Sequence, residues 1–176
     1  MNFKALNLFL SEDNIRRHIE HNNSVKLKLS ILEKSVPKII GCSICEIKQM
    51  KLDKDIKEEA ARLIGYIRSH DLFFDSFVEH NNACGHKALW IEQLLYNIYT
   101  EALSLDFGFM YLFKDGRGGI KTSFSPNGEY IIENQKPILS LDLFEHTYYL
   151  DYGFKKDKFL KNALCHLDIS RLLSNT

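Results

Sequence analysis

Residues 141–152 read LDLFEHTYYLDY, and this stretch limits the folds open to the chain more than any other. Asp142, Glu145 and His146 are set into a run rich in Leu, Phe and Tyr. Burying an ionised group costs several kcal/mol unless it is paired, neutralised or bound to a metal. Any fold that buries this run must therefore bring it a partner from elsewhere in the sequence.

Two long amphipathic segments offer such partners. Ser11 followed by Glu12 and Asp13 is a helix start, with the serine as N-cap and the acids at the positive end of the dipole. Ile15, His18, Asn22, Val25, Leu29 and Leu32 then recur at three- and four-residue spacings to about Glu33. A second helix is expected from about Asp53 to Phe77, with Ile56, Ala60, Leu63, Ile67, His70, Phe74 and Phe77 as its stripe. One histidine thus sits on the apolar face of each helix. His21, three residues after His18 in HIEH, is assigned to the solvated side because His18 fits the stripe better. Pro37, Gly41 and the CSIC segment break the pattern between the helices.

Residues 79–87, EHNNACGHK, read as a connecting loop, and ALWIEQLLYNIYTEAL after it as a further helix presenting Leu94, Leu95 and Ile98. Beyond Asp106 the pattern changes to strands. FGFMYLFK, the turn DGRGG and GIKTSFS form a hairpin, and PILSLDLF a third strand. KDKFLKNALCHLDISRLL returns to helical spacing. Helices, then a small antiparallel sheet, then closing helices define an α+β organisation.

His18, His70 and the Asp142–His146 pair are thus polar groups at positions expected to be buried. Imidazole and carboxylate together hold Fe, Mn or Zn, and three nitrogens with one oxygen leave a coordination position open for chemistry. A single histidine on an apolar stripe is more often a hydrogen-bonded core residue. With two such histidines beside an acid–histidine pair, a metal site and a hydrogen-bonded core remain equal alternatives on pattern alone.

Charge and cysteine usage narrow the setting. Lys plus Arg and Asp plus Glu both number 23 in 176 residues, so no global field draws the chain to nucleic acid or an acidic membrane, and any attraction for an anion must be local. The opening MNFKALNLFL is too short, and too soon followed by charges, for a secretory signal or spanning helix. Four cysteines in a chain of this length do not make a disulfide framework, and a cytoplasmic protein with reduced thiols is expected. Cys42-Ser-Ile-Cys45 lacks a second C-x-x-C. His80, Cys84 and His86 could be imagined as its partners, but they read better as loop residues. Asp115-GRGG is a turn rather than a phosphate loop, and no nucleotide or nucleophile-elbow fingerprint is present.

LDLFEHTYYLDY closely resembles the D-x-W-E-H-A-Y-Y-x-D-Y signature of the iron/manganese superoxide dismutases, with Phe144 in place of Trp and Thr147 in place of Ala. SHDLFFDSF resembles that family's N-H-x-x-x-W helix segment, FGFMYLFK its G-W-x-W-L strand, and SEDNIRRHIEHN its first ligand helix. The resemblance implies an N-terminal antiparallel helical hairpin over residues 1–80 and an α/β domain with a three-stranded antiparallel sheet over 81–176. It implies His18, His70, Asp142 and His146 as ligands of one Fe or Mn ion per chain, and superoxide as the substrate converted to dioxygen and hydrogen peroxide. It further implies a homodimer in which Glu145 reaches the partner's ligand histidine, with Tyr149 close by.

The outer positions depart from the family pattern. Its gateway tyrosine falls on Lys26 and a nearby histidine on Asn22. A glutamine that holds the metal's solvent falls either on Tyr66 or near Pro126 and Asn127, and stands in neither place. Phe74, Phe109, Tyr111 and Phe144 align where tryptophans are common, keeping the pocket apolar. Tyr66 could donate to the solvent instead, and Lys26 could attract an anion. These departures leave open a relative that binds metal without dismutating superoxide. A purely structural or interaction protein, with its histidines bonded in the core, is a third reading.

Overall fold

The structure, a computed structural model, describes residues 2–79, 89–126 and 136–174. The 79–87 loop, the hairpin position Asn127 and the expected domain boundary at 80/81 lie wholly or almost wholly outside the described residues. So do His80, Cys84 and His86.

A short helix α1 (Phe3–Leu6) leads into α2 (Glu12–Ser35), which starts where Ser11 accepts a hydrogen bond from the Asn14 amide. A 3-10 turn at Pro37–Ile39 and a six-residue helix α3 (Ile44–Gln49) connect α2 to α4 (Lys54–Asp75). The break expected around CSIC therefore contains a helix, fixed by a capping box between Ser43 and Glu46. After α5 (Leu89–Ser104) come β1 (Phe109–Lys114), β2 (Ile120–Ser125) and β3 (Leu139–Asp142). Then follow α6 (Glu145–Tyr152), α7 (Lys156–His166) and α8 (Ser170–Leu173).

The sheet is antiparallel in the order β2-β1-β3. Phe109 of β1 stands opposite both Ser125 and Asp142, so the middle strand fixes the height of the acid at the end of β3. Gly108 permits this register. Its φ is +120°, and a Cβ there would lie 2.7 Å from the Phe124 ring and from the Ser125 carbonyl, while its own carbonyl accepts from the Leu143 amide. The hairpin turn closes on Asp115, whose carboxylate accepts from the Arg117 and Gly119 amides.

The larger core joins both halves of the chain, packing Phe9, Phe73, Phe74 and Phe77 against Met110, Leu112, Leu141 and Phe159. Each such side chain contributes roughly 1.5–3 kcal/mol on burial. A smaller core of Ile39, Ile44, Ile47, Ala60, Ala61 and Ile64 seats α3 on α4. Ser76, the C-cap of α4, donates its hydroxyl to the Leu72 carbonyl and accepts from the Ser140 amide. Its carbonyl accepts from Asp168. These bonds lock the end of α4 to β3 and to the C-terminal segment.

Candidate metal centre

Four elements each bring one side chain to the same point. His18 stands in the second turn of α2, on the face it shares with Ile15, Asn22 and Val25. His70 lies on the buried face of α4, Asp142 ends β3, and His146 falls in the first turn of α6. The three-residue step from strand to helix brings His146 Nε2 to 3.5 Å from Asp142 Oδ2. His18 Nε2 stands 3.1 Å from that same oxygen and His70 Nε2 3.5 Å. His18 and Asp142 are 124 residues apart in sequence. The partner that LDLFEHTYYLDY requires is thus supplied by both long helices.

The orientation of each group is fixed from behind. The Phe144 amide donates to Asp142 Oδ1 at 3.0 Å, so Oδ2 is left facing the imidazoles. His70 Nδ1 lies 2.9 Å from the Tyr66 carbonyl, which can only accept, so that nitrogen carries the proton and Nε2 presents a lone pair. The Ser11 amide and Asn14 Nδ2 both donate to Asp151 Oδ2, at 2.9 and 2.8 Å, pinning the start of α2 to α6. The rings of Phe74, Phe109 and Phe144 pack against His18, His70 and His146 at centroid distances of 4.9, 5.1 and 5.4 Å. Asp142 and the side chains of His18 and His70 are fully buried, and that of His146 is 29% exposed.

The donor set fits a divalent or trivalent ion. A neutral His70 has no proton at Nε2, yet this nitrogen faces Asp142 Oδ2 and, at 3.4 Å, His146 Nε2. Lone pairs aimed at one another need a proton or a cation between them. Burial pushes His18 below the ordinary histidine range and His70 to about 4, the carboxylate only partly offsetting it, so these two rings are neutral at neutral pH and His18 has one proton at most to turn towards Asp142. Burial alone would raise Asp142, but the imidazoles, His146 foremost, outweigh it and hold the carboxyl well below its usual range. Donor atoms bound to a shared ion at about 2.0–2.2 Å stand roughly 3.0–3.5 Å apart, as Asp142 Oδ2 does from each imidazole and His70 from His146. All four donor atoms lie within 4.8 Å of one another.

The residues around the cluster divide into three groups. Asn22 is buried but turned away, donating through Nδ2 to Asp71 Oδ1 at 3.0 Å, and Lys26 Nζ donates to the same oxygen at 3.0 Å. Tyr66 sits at the rim with its ring 5.1 Å from His70, and burial raises its phenol. Glu145 is exposed, and Tyr149 is half-exposed with its ring against Phe154.

His21 is misplaced by the stripe argument. It is not on a solvated face: its ring lies 4.4 Å from that of His146 and 5.6 Å from that of His70, with Nε2 buried. The reason is helical geometry, since a residue three positions on shares a face with the first as much as one four positions on. The HIEH spacing was the available signal.

The cluster, set in the α+β frame, is a buried group of three histidines and one carboxylate whose donor atoms could hold a single metal ion. Residues 90–173 match the family described as iron/manganese superoxide dismutases, C-terminal domain. Over 72 residues the chain is 39% identical to a superoxide dismutase [Fe] of Leptolyngbya boryana and 36% identical to one of Nostoc sp.. Each match covers 39% of this chain and 36% of the relative, so the chain aligns with little more than a third of these proteins' length. A superoxide dismutase [Mn] of Rhizobium meliloti is 40% identical over 45 residues, 25% of this chain and 22% of that protein. Over residues 90–173 the chain thus carries the C-terminal domain of the iron/manganese superoxide dismutase family, in divergent form. Among the described residues no helix is long and apolar enough to cross a membrane.

Proposed function

We propose that the chain binds one iron or manganese ion through His18, His70, Asp142 and His146 and disproportionates superoxide to dioxygen and hydrogen peroxide. One observation carries the reading: three Nε2 atoms converge on one buried carboxylate oxygen at 3.1–3.5 Å, in a family whose relatives are named for these metals and this activity.

A bound ion would supply one-electron exchange, so that two superoxide ions and two protons become one dioxygen and one hydrogen peroxide. The protein's own residues set the conditions for it. The Tyr66 carbonyl and the Phe144 amide hold His70 and Asp142 in their ligating orientation. Phe74, Phe109 and Phe144 keep bulk water off the inner face, which strengthens electrostatic interactions there. His146, with its side chain partly exposed, marks the side on which a small anion would arrive.

Exposed Phe107, Tyr149, Leu150 and Phe154, with Glu145, are the apolar and acidic groups we assign to a homodimer contact beside His146. There Glu145 of each chain would accept from the ring of the partner's ligand histidine. Cys42 and Cys45 are free thiols, which suits the cytoplasm.

The alternative, a metal-binding relative without dismutase turnover, draws on Asn22 and Lys26. Both occupy positions that the resemblance gives to substrate-side groups, and both are bound to Asp71. The two readings separate on protein loaded with iron and with manganese in turn, metal content and superoxide consumption being measured on the same samples. One ion per chain with turnover, both lost in His146→Ala, supports the dismutase. One ion without turnover supports the alternative, and no ion refutes both.

A further inference from the structure

His21 belongs to none of the roles above, yet its position is not that of a surface residue. Its ring lies over His146 at 4.4 Å with a 33° tilt, 5.6 Å from His70 and 6.2 Å from Tyr66. Its Nε2 is buried and meets no hydrogen-bond partner among the described residues. It stands outside the set of four donors that lie within 4.8 Å of one another, so it is one layer out from the centre. A buried nitrogen without a partner is costly, and a phenyl ring would fill the same space without that cost. An imidazole there is explained when something it can bond occupies the centre's open side.

We propose that His21 is the hydrogen-bonding partner of the small anion that occupies the side of the centre left open by His18, His70, Asp142 and His146. The neighbouring position cannot serve, because Asn22 is turned by one residue's rotation onto the opposite flank, where Asp71 holds its amide. His21 takes the flank that faces His146, the proposed ligand whose side chain is partly exposed. The class of ligand is a small anion with oxygen or nitrogen acceptor atoms, bonded end-on or side-on within reach of an imidazole N–H. The inference rests on the metal-binding reading above and extends it to one further residue.

The test is azide binding to the protein loaded with ferric iron, followed by the visible absorption change, with iron content measured on every sample. His21→Phe keeps the ring against His146 and removes Nε2, while His21→Gln restores an N–H donor. The expected result is full iron occupancy in both variants, with azide affinity lowered about tenfold in His21→Phe and largely recovered in His21→Gln, the size of one hydrogen bond to an anion. Equal azide affinity in His21→Phe and the unaltered protein, at equal iron content, overturns the proposal and leaves the metal site standing. Loss of iron in both His21 variants overturns it in favour of a direct ligand role. Failure of the unaltered protein to hold iron overturns the metal-binding reading itself, and this proposal with it.

Discussion

His18 and Lys26 stand about two turns apart on α2, and they answer to different constraints. His18 is fully buried, with Nε2 3.1 Å from Asp142 Oδ2, while Lys26 is 45% exposed and paired with Asp71 on α4. The first position accepts only a side chain with one directed lone pair at one place. The second accepts any group that solves a local problem, here the clamping of α2 to α4 through a carboxylate that also takes Asn22. The inner cluster can therefore keep its form while the layer outside it is rebuilt. That rebuilt layer is also where His21 enters.

The comparison breaks most visibly if the inner cluster proves tolerant. Asp142→Ala is expected to bring metal content to background, because it removes the oxygen on which three imidazoles converge. Metal retained at one ion per chain in that variant would place the ion elsewhere. Elemental analysis of protein purified from metal-supplemented medium decides it.

Next in size is a pH effect on the metal-free protein. An unfolded chain protonates His70 near its ordinary value of 6.5, whereas burial keeps the folded ring neutral to about 4. Between those values the unfolded state binds more protons, so stability is complete above about pH 6.5 and falls as pH drops towards 4. The shift corresponds to about 3 kcal/mol for His70, with His18 acting in the same direction. The depressed Asp142 acts lower, its contribution being lost only as pH falls below its ordinary 3.8. Urea titrations at pH 7.5, 6, 5 and 4 measure the slope; a flat profile from 6.5 to 4 would show that water reaches the imidazoles. Acid should also release bound metal in the same window, since protons and the ion compete for the same nitrogens.

A smaller effect tests whether the cluster is held from outside. Asp151→Ala removes the acceptor shared by the Ser11 amide and Asn14 Nδ2, and is expected to cost about 1–2 kcal/mol. Because that bond ties the helix of His18 to the helix of His146, metal should also leave faster under chelator challenge. Unaltered release with the expected loss of stability would separate the scaffold from the site.

Local signals made much of this architecture legible. Ser11 and its following acids start α2 where the capping rule puts it, and the two apolar runs around Asp115-GRGG become the hairpin. His18, His70, Asp142 and His146 could be singled out because each is a polar residue on an apolar stripe or strand end. What was not legible depended on short or unpatterned elements. Helix α3 is too short to show a period, although its capping box is present in the sequence. Helix α6 follows Phe144, which makes no side-chain cap bond, and its alternation of apolar and polar groups is weak. The diversion of Asn22 and Lys26 to Asp71 joins residues 49 and 45 apart, and no local rule predicts it. His21 was missed because a stripe argument gives a helix one buried face, whereas α2 meets both α4 and α6.

The smallest expected effect sharpens the contrast between His18 and Lys26. An exposed ion pair such as Lys26–Asp71 contributes about 0–1 kcal/mol, since two solvated side chains must be ordered to make it. Lys26→Met is therefore expected to lower stability by less than about 1 kcal/mol, with metal content unchanged, the methionine stem still covering the α2–α4 seam. If Lys26 only clamps the helices, the dependence of superoxide turnover on ionic strength will be the same with and without it. If its charge guides the anion despite the bond to Asp71, removing it will lower turnover at low salt and leave turnover at high salt unchanged, because screening reduces the attraction between charges farther apart than about 10 Å at 0.1 M salt. Measuring the rate at two ionic strengths thus distinguishes a residue taken over by the scaffold from one that still serves the site.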